Sequence, residues 1–322
     1  MIAVVTLFTG LSQTGYASTP LRVGYWPSGN TLGYGAVLET GNFFKQQGID
    51  AKFVHFADVN GTTRAIAAGA IDLAFGSPAA GSFSLATDGV PVKIILATQP
   101  ANVEFVVRAD SPITSISQLR GKKIAMSPAG SSTASIASAI LDLNYGIKPA
   151  DFTLVPGNEP RLVQYLEQKD VDAAALRNTT LAQLTTLKVK KLGSFAENWQ
   201  KVTKNKLSVP YNAVAVIRDD WMKANPGATA KVVLALRNAL EFGSAHGPAV
   251  VSAVKKIANA SDKTAAAYVT LWNENYRVSL TPTDQDTLKR MFAIFKESGL
   301  LKGNLPAGTL DAAPYEESLK LK

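Results

Sequence analysis

The sequence predicts an α/β protein with two lobes, each built on a mostly parallel sheet covered by helices. Three observations support this prediction. The chain has 322 residues, more than the roughly 100 to 200 residues of a typical domain. Short apolar segments alternate with helical segments, the pattern that builds parallel sheets with helices on their faces. Finally, segments in the first part of the chain resemble segments in its middle.

The first series of elements begins at residue 21. Its predicted strands cover 21–26, 51–56, 71–75 and 92–98, and its predicted helices cover 32–47 and 62–68. Val37, Leu38 and Phe44 share one side of the first helix. Gly48 and Gly69 follow the two helices, where a left-handed residue commonly ends a helix.

A second series follows the turn-rich segment 109–112. A strand is predicted over 123–126 and a helix over 132–145, which Gly146 ends. The segments that continue the alternation are 152–155, 161–168, 171–176 and 181–187. The last third of the chain is mainly helical, with helices predicted over 228–242, 249–258, 263–275 and 284–298.

Segment 67–77 resembles segment 167–177. Each contains the end of a helix, an Asp that opens a strand, and a polar residue five positions later, which is Ser77 or Arg177. Ligands of open parallel sheets bind outside the carboxyl ends of the strands. We therefore expect Ser77 and Arg177 at matching places in two lobes that face each other.

Segments 104–108 and 213–218 are also alike, because both are apolar strands that end in Arg. They bracket the second series, and we interpret them as crossings between the lobes. The middle of the chain is then an insertion. The predicted divisions are a signal peptide over 1–17, a discontinuous lobe I over 18–107 and 213–322, and lobe II over 108–212.

The composition excludes several kinds of site. The chain has no Cys and therefore no thiolate nucleophile, Cys-ligated zinc or iron–sulfur cluster. Two His residues, His55 and His246, leave little for a His-rich metal site or a Ser-His-Asp triad. We expect no metal and no cofactor. The net charge of +8 favours anionic partners, but the spread-out basic residues do not form a nucleic-acid surface.

The amino terminus has the pattern of a secretory signal. An apolar run over 2–11 is followed by small and polar residues, and we expect cleavage after Ala17. A buried first strand is the alternative, because Val4, Val5 and Leu7 suit a strand. No later stretch reaches the ~18 apolar residues of a membrane helix. The sequence predicts an exported, soluble protein, and the lack of Cys near residue 17 argues against a lipid anchor.

Segment 127–133 lies between a predicted strand and a predicted helix. The backbone N–H groups of the helix's first turn and the nearby hydroxyls can form a cradle for an anion. The candidate residues are Ser127, Gly130, Ser131, Ser132 and Thr133. The alternative is an ordinary Ser cap of the helix. No phosphate-loop Lys follows the segment, so nucleotide binding is disfavoured.

Arg177 can clamp a carboxylate, sulfonate or phosphonate through two parallel hydrogen bonds of its planar guanidinium. The alternatives are a solvated Arg at a strand end and an interdomain salt bridge. Asn178, next to it, is a further candidate. Ser77 and Pro78 begin the next helix of lobe I, where they either contact the ligand or cap that helix. An anion held by Arg177 and by segment 127–133 would bridge the lobes.

The remaining candidates lie near the first strand and the crossings. Trp26 follows the first strand and offers an apolar or cation–π wall, with core packing as the alternative. Tyr211 and Asn212 precede the second crossing, where they either contact the ligand or pack the hinge. Gln99 and Asn102 are candidates at the first crossing.

Several motifs occur in an order and spacing that together resemble one protein family. They are Arg-Val-Gly-Tyr-Trp-Pro at 22–27, Gly-Ala-Ile-Asp-Leu-Ala-Phe-Gly-Ser-Pro at 69–78, Leu-Arg-Gly-Lys-Lys-Ile-Ala at 119–125, Ala-Gly-Ser-Ser at 129–132, Leu-Thr-Pro-Thr-Asp at 280–284 and Phe-Lys-Glu-Ser-Gly at 295–299. The chain resembles the periplasmic substrate-binding proteins of ABC importers over about residues 21–310. The branch it resembles binds aliphatic sulfonates, taurine and nitrate and includes pyrimidine-precursor binders.

The resemblance implies a type II periplasmic-binding-protein fold, in which two Rossmann-like lobes joined by two crossover strands close on a ligand. It also implies a monomeric periplasmic receptor that delivers a small organic anion, such as a sulfonate or carboxylate, to an ABC permease in the inner membrane. Relatives often have an aromatic residue at the place of Arg177. The alternative ligand is a neutral or zwitterionic heterocycle, such as a pyrimidine vitamin precursor, stacked on Trp26 and Tyr211.

Two rival functions belong to other classes. Pyrimidine-synthesising enzymes share the implied fold, but they depend on a Cys-rich segment that this chain lacks. A sensory domain that feeds a membrane kinase or regulator is a further alternative. The sequence therefore favours a binding protein over an enzyme.

Overall fold

The computed structural model describes residues 18–321. The predicted signal peptide and its alternative, a first strand, both fall within 1–17 and lie outside the described residues. The strands of the described part are β1 (Thr19–Tyr25), β2 (Ile49–His55), β3 (Leu73–Pro78), β4 (Val92–Pro100), β5 (Val103–Arg108), β6 (Lys123–Met126), β7 (Thr153–Pro156), β8 (Ala173–Arg177), β9 (Val189–Ser194) and β10 (Tyr211–Arg218).

Helices connect these strands and form the last third of the chain. The α-helices are α1 (Gly29–Thr40), α2 (Phe43–Gln46), α3 (Gly61–Ala67), α4 (Ala79–Thr87), α5 (Ser132–Tyr145), α6 (Glu159–Glu167), α7 (Asn178–Gln183), α8 (Phe195–Thr203), α9 (Asp219–Ala224), α10 (Ala228–Ala245), α11 (Gly247–Ala258), α12 (Asp262–Thr270), α13 (Trp272–Asn275), α14 (Pro282–Glu297) and α15 (Ala313–Ser318). Short 3-10 turns cover Ile116–Leu119 and Pro149–Asp151.

The strands form two five-stranded sheets with the same topology. The first sheet has the order β2-β1-β3-β10-β4, and the second has the order β7-β6-β8-β5-β9. In each sheet the fourth strand, β10 or β5, is antiparallel to both neighbours. The other strands are therefore parallel to one another. The structure confirms the predicted α/β class with two mostly parallel sheets.

The similar segments of the sequence occupy equivalent positions in the two sheets. Strand β3, which includes Ser77, and strand β8, which ends at Arg177, are the third strands, and β10 and β5 are the fourth. The interpretation of β5 and β10 as the crossings themselves is wrong, because each is hydrogen-bonded on both sides within its sheet. The chain crosses just before each of them, in the short segments 101–102 and 204–210.

One further prediction needs correction, and two elements were not predicted. The helix predicted over 32–47 is divided into α1 and α2, because Gly41 has an extended backbone that cannot continue a helix. Strand β9 and helix α8 were not predicted. Strand β9 is an edge strand with Lys190 and Lys191 among its residues, and edge strands often carry such charges. Its polar sequence therefore lacks the apolar pattern of a buried strand.

The apolar core connects both sheets with the helices that cover them. One cluster joins residues of the first sheet's elements, such as Phe83 and Ile94, to residues of the second sheet's elements, such as Phe105 and Ile136. A second cluster lies between the first sheet and helices α10 to α12. No helix within residues 18–321 combines the length and the apolar character that a membrane crossing requires.

Candidate functional site

Helices begin directly after the strands of both sheets, and their first turns meet between the sheets. Helices α1 and α4 follow β1 and β3, whereas α5, α6 and α7 follow β6, β7 and β8. The first turns of α1, α4 and α5 contain no acidic residue. The partial positive charge at these three helix ends is therefore not neutralised by their own side chains.

Segment 127–133 turns the chain from β6 into α5. Gly130 has a φ of 85°, a left-handed conformation that favours glycine. Ser131 is the N-cap of α5, and its hydroxyl accepts a backbone N–H of the first turn at 3.2 Å. The Ser132 hydroxyl instead accepts the backbone N–H of Ala80, in the first turn of α4, at 3.1 Å. Ser131 thus caps the helix, while Ser132 contacts an element of the first sheet.

Arg177 lies at the end of β8 and is only 5% exposed. Its Nη2 donates to the hydroxyls of Ser127 and Thr133, at 3.3 Å each. Its guanidinium carbon lies 5.4 Å from the ring centroid of Trp26, which is within the range of a cation–π contact. Burial lowers the pKa of Arg177 to about 10, so the side chain is still a cation at neutral pH.

Glu159 is the ion-pair partner of Arg177 and was not predicted from the sequence as a site residue. It is the first residue of α6, is 5% exposed, and accepts a hydrogen bond from Nη1 of Arg177. Its second carboxylate oxygen accepts a hydrogen bond from the Thr180 hydroxyl. Arg177 therefore forms a buried salt bridge within the elements of one sheet, instead of the interdomain bridge considered above. The signal that was overlooked is the position of Glu159 just after the strand segment 152–155, because the first turns of helices favour carboxylates.

Asn212 of β10 completes this group from the side of the first sheet. Its Oδ1 accepts a hydrogen bond from the Thr133 hydroxyl at 3.5 Å. Its Nδ2 is buried and has no hydrogen-bond partner among residues 18–321. An unpaired buried donor costs free energy unless a ligand or water accepts from it. The residues that we call the central polar cluster are Ser127, Ser132, Thr133, Glu159, Arg177 and Asn212.

Ser77 and Pro78 lie in β3 and Gln99 lies in β4, the two strands that flank β10 in the first sheet. Pro78 is the N-cap residue of α4 and pairs with residue 213, next to Asn212. The buried Ser77 hydroxyl accepts a hydrogen bond from Ser82 at 3.3 Å. Gln99 donates from Nε2 to the Thr31 hydroxyl at 3.1 Å. Ser77 and Gln99 thus have hydrogen-bond partners within the first sheet's elements.

Asn102 and Asn178 are not brought to the central polar cluster. The Asn102 amide donates to the backbone oxygen of Glu274 at 2.7 Å, and its own backbone oxygen accepts the Asn178 N–H at 3.0 Å. Both residues line a groove of about 490 Å³ beside the first crossing. They connect the crossing to the second sheet instead of meeting Arg177.

Tyr211 also points away from the central polar cluster, contrary to its predicted role as a stacking face. Its ring is buried in the core, and its hydroxyl donates to Asp284 at 2.5 Å. Successive side chains of a strand point to opposite faces, so Asn212 faces the cluster and Tyr211 does not.

Direct contacts between elements of the two sheets surround the cluster. The Thr179 hydroxyl donates to Oδ1 of Asn30 at 2.5 Å, and Nδ2 of Asn60 donates to the backbone oxygen of Ala129 at 2.9 Å. Together with the Ser132 contact described above, these bonds bring the two sets of helix ends together. The described conformation is therefore closed around Arg177.

Two cavities flank the closed cluster. A cavity of about 500 Å³, which we call the lateral cavity, is lined by residues that include Gly29, Leu32, Glu159, Thr180 and Tyr268. A smaller cavity of about 220 Å³ lies on the side of Trp26 and Pro128. Within residues 18–321, no group of three or more His, Cys, Asp or Glu side chains could hold a metal ion.

Comparison with known proteins agrees with this arrangement. Residues 36–248 match the family described as NMT1/THI5 like. No curated protein sequence matches the chain. The alkanesulfonate-binding protein SsuA from Xanthomonas axonopodis pv. citri, bound to MOPS, has a TM-score of 0.76 and 16% identity, over 92% of this chain and 99% of its own.

Two further solved structures, of a binding protein and of an enzyme, have the same fold. The periplasmic aliphatic sulphonate binding protein SsuA from Escherichia coli has a TM-score of 0.70 and 15% identity, over 92% of this chain and 91% of its own. The desulfurization enzyme DSZB has a TM-score of 0.64 and 16% identity, over 94% of this chain and 99% of its own. These likenesses establish the fold, which is that of type II periplasmic binding proteins. Since the family match covers more than half of the residues, the chain belongs to the NMT1/THI5-like family.

Proposed function

We propose that the chain is the solute-binding receptor of an ABC importer. Its two lobes, one built on each sheet and divided at the crossing segments 101–102 and 204–210, close over a small organic anion, a sulfonate or a carboxylate. The receptor then hands the anion to a permease in the inner membrane. It acts as a periplasmic monomer after removal of residues 1–17, without a metal, a cofactor or a nucleic-acid partner.

The position of Arg177 among converging helix ends is the observation that carries this proposal. The first turns of α1, α4 and α5 lack acids, and each helix end stabilises a nearby negative charge by about 0.3 to 2 kcal/mol. Glu159 offsets the single charge of Arg177, so the helix ends give the site its positive field. The unpaired Nδ2 of Asn212 adds a hydrogen-bond donor for the ligand.

The names of similar proteins support the same class of ligand. Two of the structures compared above belong to proteins named for sulfonate binding, and one of them holds MOPS. The enzyme DSZB has the same fold, so the fold alone does not exclude catalysis. We propose binding without catalysis, because the chain has no Cys and only two His residues from which a reactive centre could be built.

A neutral or zwitterionic heterocycle is the second candidate ligand. The salt bridge between Arg177 and Glu159 favours it, because the paired charges leave the site without a net ionic charge of its own. A heterocycle would stack on Trp26, which lies beside the guanidinium, or on Tyr268 of the lateral cavity. The buried Tyr211 is no longer part of this alternative.

A panel of ligands tests the proposal on purified residues 18–322. Aliphatic and aromatic sulfonates, carboxylates, nitrate and aminopyrimidines are compared by thermal shift and by isothermal titration calorimetry. Sulfonates or carboxylates are expected to raise the melting temperature, because a ligand at 100 times its Kd stabilises the folded state by about 2.7 kcal/mol. A shift with the aminopyrimidines alone would support the second candidate.

Removing both charges of the buried Arg177–Glu159 pair tests whether the anion binds at this pair. The double variant Arg177→Met/Glu159→Gln leaves no unpaired buried charge and is expected to lose the anion-induced shift. The control is Arg120→Met/Asp151→Asn, which removes an exposed ion pair of 2.5 Å from the second sheet's elements and should keep the shift. Unchanged anion binding by the first double variant would refute the proposed site.

A further inference from the structure

We infer that Glu159 is an internal counter-ion that competes with the ligand for Arg177 and so determines which anions the site accepts. The inference rests on the proposed function, because it concerns the same site. It goes further by giving a specificity role to a carboxylate that lies within an anion site.

The hydrogen bonds of the Arg177 guanidinium identify the donors for which Glu159 and the ligand would compete. Nη1 of Arg177 is taken by the Glu159 carboxylate, while Nη2 reaches the hydroxyls of Ser127 and Thr133 at 3.3 Å each, which is long for such bonds. A carboxylate or sulfonate binds a guanidinium best through two parallel hydrogen bonds. An incoming anion therefore gains this geometry at Nη1 and Nη2 only by displacing Glu159.

Glu159 is held firmly enough to be a real competitor. Arg177 binds one of its oxygens and the Thr180 hydroxyl binds the other, and both Glu159 and Arg177 are 5% exposed. Glu159 also lies in the first turn of α6, where the helix end favours a negative charge. Because water is largely excluded, the repulsion between Glu159 and a ligand anion is weakly screened.

The lateral cavity provides the space into which Glu159 can move. Glu159 and Thr180 both line this cavity of about 500 Å³, and no other charged side chain is among its lining residues. A displaced carboxylate therefore finds room but no cation to replace Arg177. Only an anion that compensates Arg177 fully makes the exchange favourable. The site should therefore accept anions that match the donors of Arg177 better than Glu159 does, and discriminate against anions that do not.

The decisive experiment compares Glu159→Gln with wild type by isothermal titration calorimetry, using butane-1-sulfonate and pentanoate as probes. The Gln side chain keeps the size and one acceptor for Arg177 but removes the competing charge. We expect at least tenfold tighter binding of the anionic probes and a lower melting temperature of the ligand-free variant. The control Glu167→Gln removes an acid from the exposed end of the same helix and should leave both affinities unchanged.

A second variant, Thr180→Val, keeps the charge of Glu159 and provides a test that does not depend on the folding of Glu159→Gln. Thr180→Val removes the hydroxyl that holds Glu159, so the carboxylate is displaced more easily, and we expect about two- to fivefold tighter binding of the same probes. Structural damage would weaken binding, so a gain cannot arise from it. If Glu159→Gln does not fold, Thr180→Val alone decides the question.

The outcomes separate the inference from the proposed function. Equal affinities of wild type and both variants would overturn the role of Glu159 and leave the anion receptor intact. Absence of binding by wild type and variants alike would overturn both. Tighter binding of the neutral probe 1-pentanol by Glu159→Gln, to the same extent as the anions, would show that charge is not involved and would also overturn the inference.

Discussion

At the scale of single residues, Asp284 shows how a buried carboxylate is kept ionised outside the proposed site. It accepts hydrogen bonds from the hydroxyls of Tyr211 at 2.5 Å, Ser279 at 2.7 Å and Thr281 at 2.8 Å. Burial on its own raises the pKa of Asp284, but these hydrogen bonds outweigh it and hold the pKa below the ordinary value. The charge therefore anchors the start of α14 beside β10.

Asp284→Asn should destabilise the protein most at neutral pH. A carboxylate with a lowered folded-state pKa stabilises the fold above its ordinary pKa of about 4, and this contribution is lost as pH falls through the lower folded value. We expect Asp284→Asn to reduce the free energy of unfolding by about 1 to 3 kcal/mol at pH 7, and by less at pH 3. Urea unfolding at both pH values measures this difference.

An exposed acid of the same helix provides the comparison. Asp286 is 82% exposed, so Asp286→Asn should change the free energy of unfolding by less than about 0.5 kcal/mol at either pH. An Asp284→Asn effect of equal size at pH 7 and pH 3 would contradict the assignment of a lowered pKa.

Residues at strand ends were the predictable part of the site. Arg177 and segment 127–133 were expected to hold one anion that bridges the lobes, and the structure brings them into contact. Both belong to elements of the second sheet, so an anion held by these two alone would not bridge the lobes. The pairing of Glu159 with Arg177 was not predictable in the same way. It requires the first turn of α6 to lie against the end of β8, and no local pattern of the sequence specifies that geometry.

At the scale of elements, α5 was predicted with its observed bounds because strong local signals mark both ends. Ser131 caps its first turn, and Gly146 ends it in a left-handed conformation with a φ of 66°. Strand β9 lacked such signals, and helix α1 was predicted too long because the extended conformation of Gly41 does not follow from composition. Local sequence signals therefore predicted α5, but they did not predict the edge strand β9 or the break between α1 and α2.

Ser131→Ala tests the link between the α5 cap and ligand binding. Loss of the cap should reduce the free energy of unfolding by about 1 kcal/mol. It should also weaken binding of butane-1-sulfonate, because the first turn of α5 carries Ser132 and Thr133 of the central polar cluster. Urea unfolding and calorimetric titration measure the two effects.

A second N-cap separates stability from binding. Ser261 caps α12 in the same way, with its hydroxyl accepting the Thr264 N–H at 3.2 Å. Ser261→Ala should therefore cost a similar free energy of unfolding and leave the affinity unchanged. Equal losses of affinity in Ser131→Ala and Ser261→Ala would mean that α5 has no special relation to the ligand.

At the scale of the whole molecule, the internal similarities predicted that two sheets of related topology face each other. They did not predict how closely, because the contacts between the two sets of elements involve side chains without any repeat. Thr179 with Asn30 and Asn60 with the backbone of Ala129 are examples. Such contacts depend on the relative orientation of the sheets, which the sequence pattern of either one alone does not determine.

Removal of the Thr179–Asn30 hydrogen bond tests most directly whether the two lobes open and close. It joins the start of α7 to the start of α1 at 2.5 Å and is buried. If the lobes open and close around the ligand, this bond exists only in the closed form. Thr179→Val should then shift the ligand-free protein toward the open form and weaken ligand binding about two- to tenfold, the equivalent of a hydrogen bond of about 0.5 to 1.5 kcal/mol.

Small-angle X-ray scattering and calorimetric titration measure both consequences. Ligand-free Thr179→Val is expected to have a larger radius of gyration than wild type, and saturating butane-1-sulfonate should return it to the wild-type value. The control is Thr186→Val, because the Thr186 hydroxyl donates to Glu167 at 3.3 Å in an exposed position within the second sheet's elements. A wild-type radius and affinity in Thr179→Val would mean that the two sheets form a rigid unit, and ligand capture by lobe closure would have to be abandoned.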